Sequence, residues 1–130
     1  MIVIDASAVL ELLLASPTGA RVAERALGQA ESMCAPHLID LEVAQVLRRY
    51  TLSGDLGPSR AAEALQDFLD LSIERYPHDL FLTRIWQMRH NVTAYDAVYI
   101  ALAEALDAVL LTTDTRLAAA SGHDAQVEVV

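Results

Sequence analysis

The stretch MIVIDASAVLELLL, residues 1–14, joins an apolar, β-branched run to a helix-like run, and Asp5 stands at the junction. A short, continuously apolar run of this kind is typical of a parallel strand that is covered on both faces. The segment from Ser7 to Ala15 then predicts a helix. An aspartate at such a junction is either the N-cap of the helix or a ligand at the end of the strand, and this stretch alone does not separate the two.

The stretch DAVLLTTD, residues 107–114, repeats the layout: an apolar run ends at Asp114, and a helix is predicted from Thr115 to Ala120. Shorter strand candidates are SMCAP (32–36), SIERYP (72–77) and AQVEVV (125–130). Further helices are predicted up to Gly28 and over residues 37–53, 59–71, 78–89 and 94–106. Strands that alternate with helices predict an α/β fold with helices on both faces of a parallel sheet. In that fold Asp5 and Asp114 lie at the carboxyl edge of the sheet, where ligands bind.

The length and composition predict one domain that spans residues 1–130. With 54% hydrophobic residues, the chain has enough apolar side chains for a full core. The single cysteine, Cys34, excludes an internal disulfide and fits a reducing compartment. No basic leader or apolar run of membrane-spanning length is present. We therefore expect a cytoplasmic protein that does not use a membrane.

The charge of the chain is strongly negative: eighteen acidic residues stand against nine basic ones, all of them arginine, which gives −9. This charge repels nucleic acid at long range. A polyanion can still bind if divalent cations lie between it and the protein. A strongly basic partner is the other use of such a surface.

Two further acids, Asp96 and Glu42, are candidate site residues because they lie in or beside apolar stretches of predicted helices. Asp96 ends TAYD (93–96), a capping box in which Thr93 is the cap, yet it is the only charge from Ala94 through Ala103. We therefore expect Asp96 to face the protein or a cleft. Glu42 lies in HLIDLEVAQVLRRY (37–50), at the edge of the predicted core-facing side, as either a solvated border residue or a site residue. That core-facing side is predicted to consist of Ile39, Val43, Val46 and Tyr50.

Carboxylates that meet in one cleft repel each other and raise each other's pKa unless a positive charge holds them. Oxygen ligands without histidine or cysteine indicate a hard cation, Mg²⁺ or Mn²⁺. Such an ion can activate a water molecule and stabilise the oxygens of a phosphoryl displacement. The histidines show no zinc-ligand spacing; they are His37, His78, His90 and His123.

Four motifs together resemble the PIN-domain nucleases and, more closely, the VapC toxins of bacterial toxin–antitoxin pairs. They are IDASAVLELLL (4–14), LEVAQVL (41–47), TAYDAVYIALA (93–103) and LLTTDTRLA (110–118). The resemblance covers the whole chain in order and spacing. It implies a three-layer α/β/α fold whose parallel sheet has the strand order 3-2-1-4-5. It also implies a catalytic and metal-binding acidic quartet, which maps onto Asp5, Glu42, Asp96 and Asp114, with Ser7 and Thr112 as supporting residues.

The resemblance implies an endoribonuclease that depends on Mg²⁺, for which Mn²⁺ can substitute. Water would attack an RNA phosphodiester and leave a 3′-hydroxyl and a 5′-phosphate. Asp5 and Asp96 would anchor the metal, Glu42 would bind metal or position the attacking water, and Asp114 would act through a water or a second ion. Ser7 would orient Asp5 or touch the scissile phosphate.

The implied partners are RNA, a second copy of the chain in a homodimer, and a VapB-type antitoxin whose basic C-terminal segment occupies the acidic groove. Candidate RNA contacts, or else ordinary surface charges, are Arg48, Arg49, Arg89 and Arg116. The alternative is a catalytically silent PIN-like domain that binds RNA or a protein partner. A phosphatase would need D-x-D-x-T where the chain has DASAV, and a response-regulator receiver would need a lysine, which the chain lacks.

Overall fold

Five parallel strands form one sheet in the computed structural model, which describes all 130 residues. The strands are β1 (Ile2–Ile4), β2 (Met33–Pro36), β3 (Ile73–Tyr76), β4 (Val109–Thr112) and β5 (Val127–Val129). Their spatial order is β3-β2-β1-β4-β5, and every neighbouring pair is parallel. The predicted α/β fold with strand order 3-2-1-4-5 is therefore confirmed. Because β1 and β4 are neighbours, the residues that follow them meet at the same edge.

Seven helices flank this sheet. They are α1 (Ala6–Leu13), α2 (Pro17–Leu27), α3 (Leu38–Ser53), α4 (Pro58–Asp70), α5 (Leu82–Gln87), α6 (Ala94–Leu106) and α7 (Thr115–Ala119). The helix predicted over residues 78–89 instead begins as a separate 3₁₀ turn, Asp79–Phe81, before α5. None of the helices combines the length and the apolar character needed to cross a bilayer.

The centre of the core is β1 together with α6. All three residues of β1 are fully buried, as the continuous apolar run predicted for a central parallel strand. Helix α6 is buried without interruption from Ala97 through Ala103 and contacts β1, β2 and β4. Since each fully buried Ile or Val contributes roughly 1.5–3 kcal/mol, this layer holds the carboxyl ends of β1 and β4 in place.

Helix α3 faces the core only partly as predicted: Ile39 and Val43 are confirmed, and Leu47 rather than Tyr50 completes the buried stripe. Ile39, Val43 and Leu47 are buried, whereas Val46 is only partly buried and Tyr50 stays outside the core. Residues spaced by four share one stripe of a helix, so the stripe 39–43–47 packs inward. Val46 and Tyr50 lie on the adjacent stripe, which borders a pocket at the carboxyl edge of the sheet.

Candidate active site

A pocket of about 340 Å³ lies at the carboxyl edge of the sheet and is lined by Asp5, Glu42, Asp96 and Asp114. Asp5 follows β1 directly and Asp114 follows β4, so the parallel pairing of these strands brings the two together. Glu42 comes from the first turns of α3, and Asp96 from the first turn of α6. The structure therefore brings together, in one pocket, four acids that are far apart in sequence.

Asp5 is the most constrained of these acids. Its Oδ1 accepts hydrogen bonds from Ser7 Oγ at 2.6 Å and from the Ala8 amide at 3.0 Å, and its Oδ2 accepts one from Thr112 Oγ1. Only 7% of the residue is exposed. Burial raises the pKa of the carboxyl, although the three hydrogen bonds act in the opposite direction. Asp5 is the N-cap of α1 as well as a pocket residue, so the two roles that the sequence left open are compatible.

Ser7 and Thr112 link the start of α1 to the end of β4. Ser7 Oγ lies 3.3 Å from Thr112 Oγ1 and accepts a hydrogen bond from the Thr113 amide at 3.1 Å. Thr112 Oγ1 accepts one from the Asp114 amide at 3.0 Å. Both hydroxyls thus hold Asp5 in one orientation and fix the backbone that leads into Asp114.

Glu42 is held by Tyr99, a residue that was not among the predicted site residues. The Tyr99 hydroxyl donates a hydrogen bond of 2.6 Å to Glu42 Oε1 across 57 positions of sequence. Burial raises the pKa of Glu42, the nearby charges of Asp5 and Asp96 raise it further, and the Tyr99 hydrogen bond lowers it. A signal for Tyr99 existed: it follows Asp96 by three residues and therefore shares its side of α6.

Asp96 and Asp114 have opposite electrostatic surroundings. The Asp96 amide donates a hydrogen bond of 3.1 Å to Thr93 Oγ1, as expected for the cap. Burial raises the pKa of the Asp96 carboxyl, and repulsion from Asp114 raises it further. Asp114 caps α7, accepting from the Arg116 amide at 2.9 Å, and pairs with the Arg116 guanidinium at 3.3 Å. Burial would raise the pKa of Asp114, but the hydrogen bonds and charge of Arg116 outweigh burial and lower it.

The four candidate RNA-contacting arginines lie in different places. Arg49 lines the acid pocket, and Arg116 lines an adjoining groove that shares Asp96 and Asp114 with it. Arg48 lines a separate groove between α3 and α4. Arg89 covers the ring of Trp86 at 4.7 Å and lines neither acid-bearing groove.

The donor chemistry of the pocket fits a hard divalent cation. All its candidate ligands are carboxylate or hydroxyl oxygens, and burial, with a smaller contribution from neighbouring acids, raises the pKa of three of the four acids. No three acidic, histidine or cysteine side chains, however, lie close enough to form a preformed metal cage. Glu42 is turned to Tyr99 and Asp114 to Arg116. The residue types fit a metal, and their present orientations do not yet converge on one point.

Sequence comparison identifies close relatives. The chain matches the PIN domain family over residues 2–122. Ribonuclease VapC1 of Mycobacterium tuberculosis is 46% identical over 129 residues, which cover 98% of this chain and 96% of that protein. Ribonuclease VapC12 of the same species is 40% identical over 130 residues, which cover 100% of this chain and 99% of that protein.

Solved structures share the fold at lower identity. The Pyrobaculum aerophilum protein PAE2754 has a TM-score of 0.72 at 24% identity, covering 98% of this chain and 83% of its own. VapC20 of Mycobacterium tuberculosis, described as a sarcin-ricin loop cleaving toxin, has a TM-score of 0.66 at 14% identity and covers 92% and 94%. VapBC2 of Rickettsia felis, solved with a promoter DNA fragment, has a TM-score of 0.63 at 14% identity and covers 99% and 98%. The match over nearly the whole chain places this protein in the PIN-domain family, among the VapC ribonucleases.

Proposed function

We propose that this protein is a divalent-metal-dependent endoribonuclease and the toxin of a toxin–antitoxin pair. The observation that carries the proposal is the meeting of Asp5, Glu42, Asp96 and Asp114 in one pocket at the carboxyl edge of the sheet. A pocket that only binds a partner has no need of four carboxylates, three of which have a raised pKa. The relatives named ribonucleases supply the substrate class.

Asp5 and Asp96 would hold Mg²⁺, or Mn²⁺ in its place, and Glu42 and Asp114 would complete the site. When bound, the ion would activate a water and neutralise charge on the scissile phosphate. Asp5 is suited to anchoring because three donors fix its carboxylate before any ligand arrives. Asp96 is suited because it is half-buried and has no direct ion pair.

Glu42 would orient the attacking water and accept its proton. A carboxyl whose pKa is raised by burial is a better proton acceptor than an exposed one. Tyr99 keeps this carboxyl on the pocket wall. Ser7 would act through Asp5. Arg49, which lines the acid pocket, and Arg116, which lines the adjoining groove, would bind RNA phosphates.

We further propose a VapB-type antitoxin with a basic C-terminal segment as the silencing partner. The acid pocket and the net charge of −9 support it, because a basic side chain that enters the pocket would be attracted by the four carboxylates that line it. A homodimer is also proposed. An apolar groove that includes the exposed side chains of Leu82 and Tyr95 supports it, since apolar clusters of this kind often mark protein contacts.

The test is incubation of the purified, antitoxin-free protein with total cellular RNA in Mg²⁺, in Mn²⁺ and in EDTA, with mapping of the 5′-phosphate ends. We expect discrete cuts in both metals, none in EDTA, and none from Asp96→Asn. The matched control is Asp67→Asn, which removes the same charge from an exposed position outside the pocket. Cuts that persist in EDTA or in Asp96→Asn would contradict the proposed site. Folded wild-type protein that binds Mn²⁺ and cuts nothing would favour the catalytically silent alternative.

A further inference from the structure

The acid pocket extends past the quartet to a second end. This end, which we call the Tyr50 subsite, is lined by Leu10, Glu11, Val46, Arg49 and Tyr50. It lies between α1 and α3, where Leu10 belongs to the core and Val46 packs against it, whereas Tyr50 does neither. The other end of the pocket meets the groove of Arg116 and Asn91 at Asp96 and Asp114. An RNA strand that crosses the four acids would therefore extend over Arg116 at one end and over the Tyr50 subsite at the other.

Tyr50 is an unusual residue for this position. The chain has only seven aromatic residues, one Trp, four Tyr and two Phe, and two of them line this pocket. Tyr99 is one, and its hydroxyl is bonded to Glu42. Tyr50 is the other; its side chain is half-buried yet does not belong to the core or to the residues packed against it. The guanidinium of Arg49 lies over one face of the Tyr50 ring, 5.7 Å from its centroid, so a base would have to stack on the opposite face.

We propose that Tyr50 is a stacking surface for a base of the RNA strand beside the scissile phosphate, and that Arg49 holds the adjoining phosphate. This proposal rests on the proposed ribonuclease function. An aromatic face next to an arginine is the combination by which proteins bind single-stranded nucleic acid. A base that is paired and stacked in a duplex does not offer its face to such a ring, so the subsite selects unpaired RNA.

The charges around the subsite favour RNA over a basic protein segment. Arg49 repels a basic segment at this end of the pocket, whereas it attracts a phosphate. Glu11 is the one acid here, and its carboxylate accepts a hydrogen bond from Ser16 Oγ. Because Glu11 repels phosphate from the α1 wall, the phosphate belongs on the Arg49 side and the base over Tyr50.

The first test needs no ribonuclease activity. Protein with isotopically labelled tyrosine rings is titrated with adenosine and uridine 5′-monophosphate in Mg²⁺, and the ring signals are followed by NMR. A mononucleotide has no internucleotide bond, so it stays intact. We expect the Tyr50 signal, identified by its loss in Tyr50→Phe, to shift upfield under the ring current of the base, while the Tyr95 signal stays in place. No shift of the Tyr50 signal at saturating nucleotide would overturn the proposal.

The second test compares the RNA concentration for half-maximal cleavage among Tyr50→Ala, Tyr50→Phe and Leu69→Ala. Leu69 is the control because it is an exposed residue of α4 that lies outside the acid pocket, the adjoining groove and the proposed dimer contact. Loss of one stacked base costs roughly 1–3 kcal/mol, so we expect Tyr50→Ala to raise that concentration about tenfold with little change in the maximal rate. Tyr50→Phe, which keeps the ring, should match the wild type. Equal values for Tyr50→Ala and Leu69→Ala would overturn the subsite even if the protein is a ribonuclease. An inactive wild type would overturn only the proposed function and leave the NMR result to decide the subsite.

Discussion

Asp5 combines a structural and a proposed chemical role in one carboxylate. Its Oδ1 caps α1 through the Ala8 amide, and both oxygens are bonded to hydroxyls that fix their direction. A capping aspartate needs only one acceptor oxygen, and a metal ligand needs the negative charge. The two roles can therefore be separated by choice of substitution.

We predict that Asp5→Asn and Asp5→Ala both abolish cleavage, because both remove the charge, and that they differ in stability. Asparagine keeps an oxygen that can accept from the Ala8 amide, whereas alanine removes the cap, which costs about 1 kcal/mol. Urea unfolding of the two variants should show this difference in the free energy of unfolding. Full cleavage by Asp5→Asn would remove Asp5 from the metal site.

Tyr99 is predicted to act through Glu42. Tyr99→Phe keeps the buried ring and removes only the hydroxyl that donates to Glu42 Oε1. We expect kcat to fall about tenfold, because Glu42 loses the donor that orients its carboxylate. The melting temperature should also fall by several degrees, because a hydrogen bond to a charged group contributes roughly 1.5–3 kcal/mol to stability. Calorimetry should also show that Tyr99→Phe binds Mn²⁺ more weakly than the wild type does.

The control for Tyr99 is a double-mutant cycle with Glu42→Gln. If Tyr99 works by positioning the Glu42 carboxylate, Tyr99→Phe should have little further effect on kcat once that carboxylate is gone. Independent, multiplicative losses in the double variant would assign Tyr99 to core packing alone.

Among the helices, α1 is positioned by a close contact between its backbone and that of α2. A Cβ added at Gly19 would stand 2.0 Å from the Glu11 carbonyl oxygen, so only glycine lets the two backbones approach this far. Helix α1 carries Ser7 near its start, and its first amides are capped by Asp5. The α1–α2 contact therefore helps to place one wall of the pocket.

We predict that Gly19→Ala lowers the free energy of unfolding by about 2 kcal/mol or more, because the new Cβ would meet backbone atoms of Glu11 and Leu12, which cannot swing aside as the end of a flexible side chain can. Gly57→Ala is the matched control, since a Cβ there meets no atom within 4 Å and the φ of −66° suits alanine. Its effect should stay below about 1 kcal/mol. Equal effects of the two substitutions in urea unfolding would contradict the close-contact explanation.

Across the molecule, the raised and lowered pKa values of the carboxyl groups predict how the stability of the fold depends on pH. Asp5, Glu42 and Asp96 have raised pKa values in the folded protein, so the unfolded chain releases these protons first as pH rises. Above the ordinary carboxyl pKa values the folded state thus binds more protons, and stability falls as pH rises through the folded pKa values. Glu104 and Asp114, whose pKa values are lowered by arginine, contribute stability that is lost only as pH falls through those lowered values.

We therefore predict that the melting temperature in EDTA falls when the pH is raised from about 5 to about 7, and that Mg²⁺ restores it at the higher pH by neutralising the pocket. The control is the double variant Glu42→Gln, Asp96→Asn, which should show a flatter pH dependence and a smaller effect of Mg²⁺. A melting temperature that rises over this interval in EDTA, or an unchanged slope in the variant, would contradict this assignment of the charge.

Local patterns were enough to predict the strands, most helices and the acids at their junctions, because apolar periodicity and capping preferences act over a few residues. Strand β1 and the Thr93 cap of α6 formed as predicted. Which side chains meet in the pocket depends instead on how the elements pack against one another. Three features depend on how the helices are rotated against the sheet: the hydrogen bond between Tyr99 and Glu42, the placement of Arg48 and Arg49 in different grooves, and the position of Tyr50 outside the core. That rotation is set by packing between elements distant in sequence, such as the stripe of Ile39, Val43 and Leu47, and local patterns do not encode it.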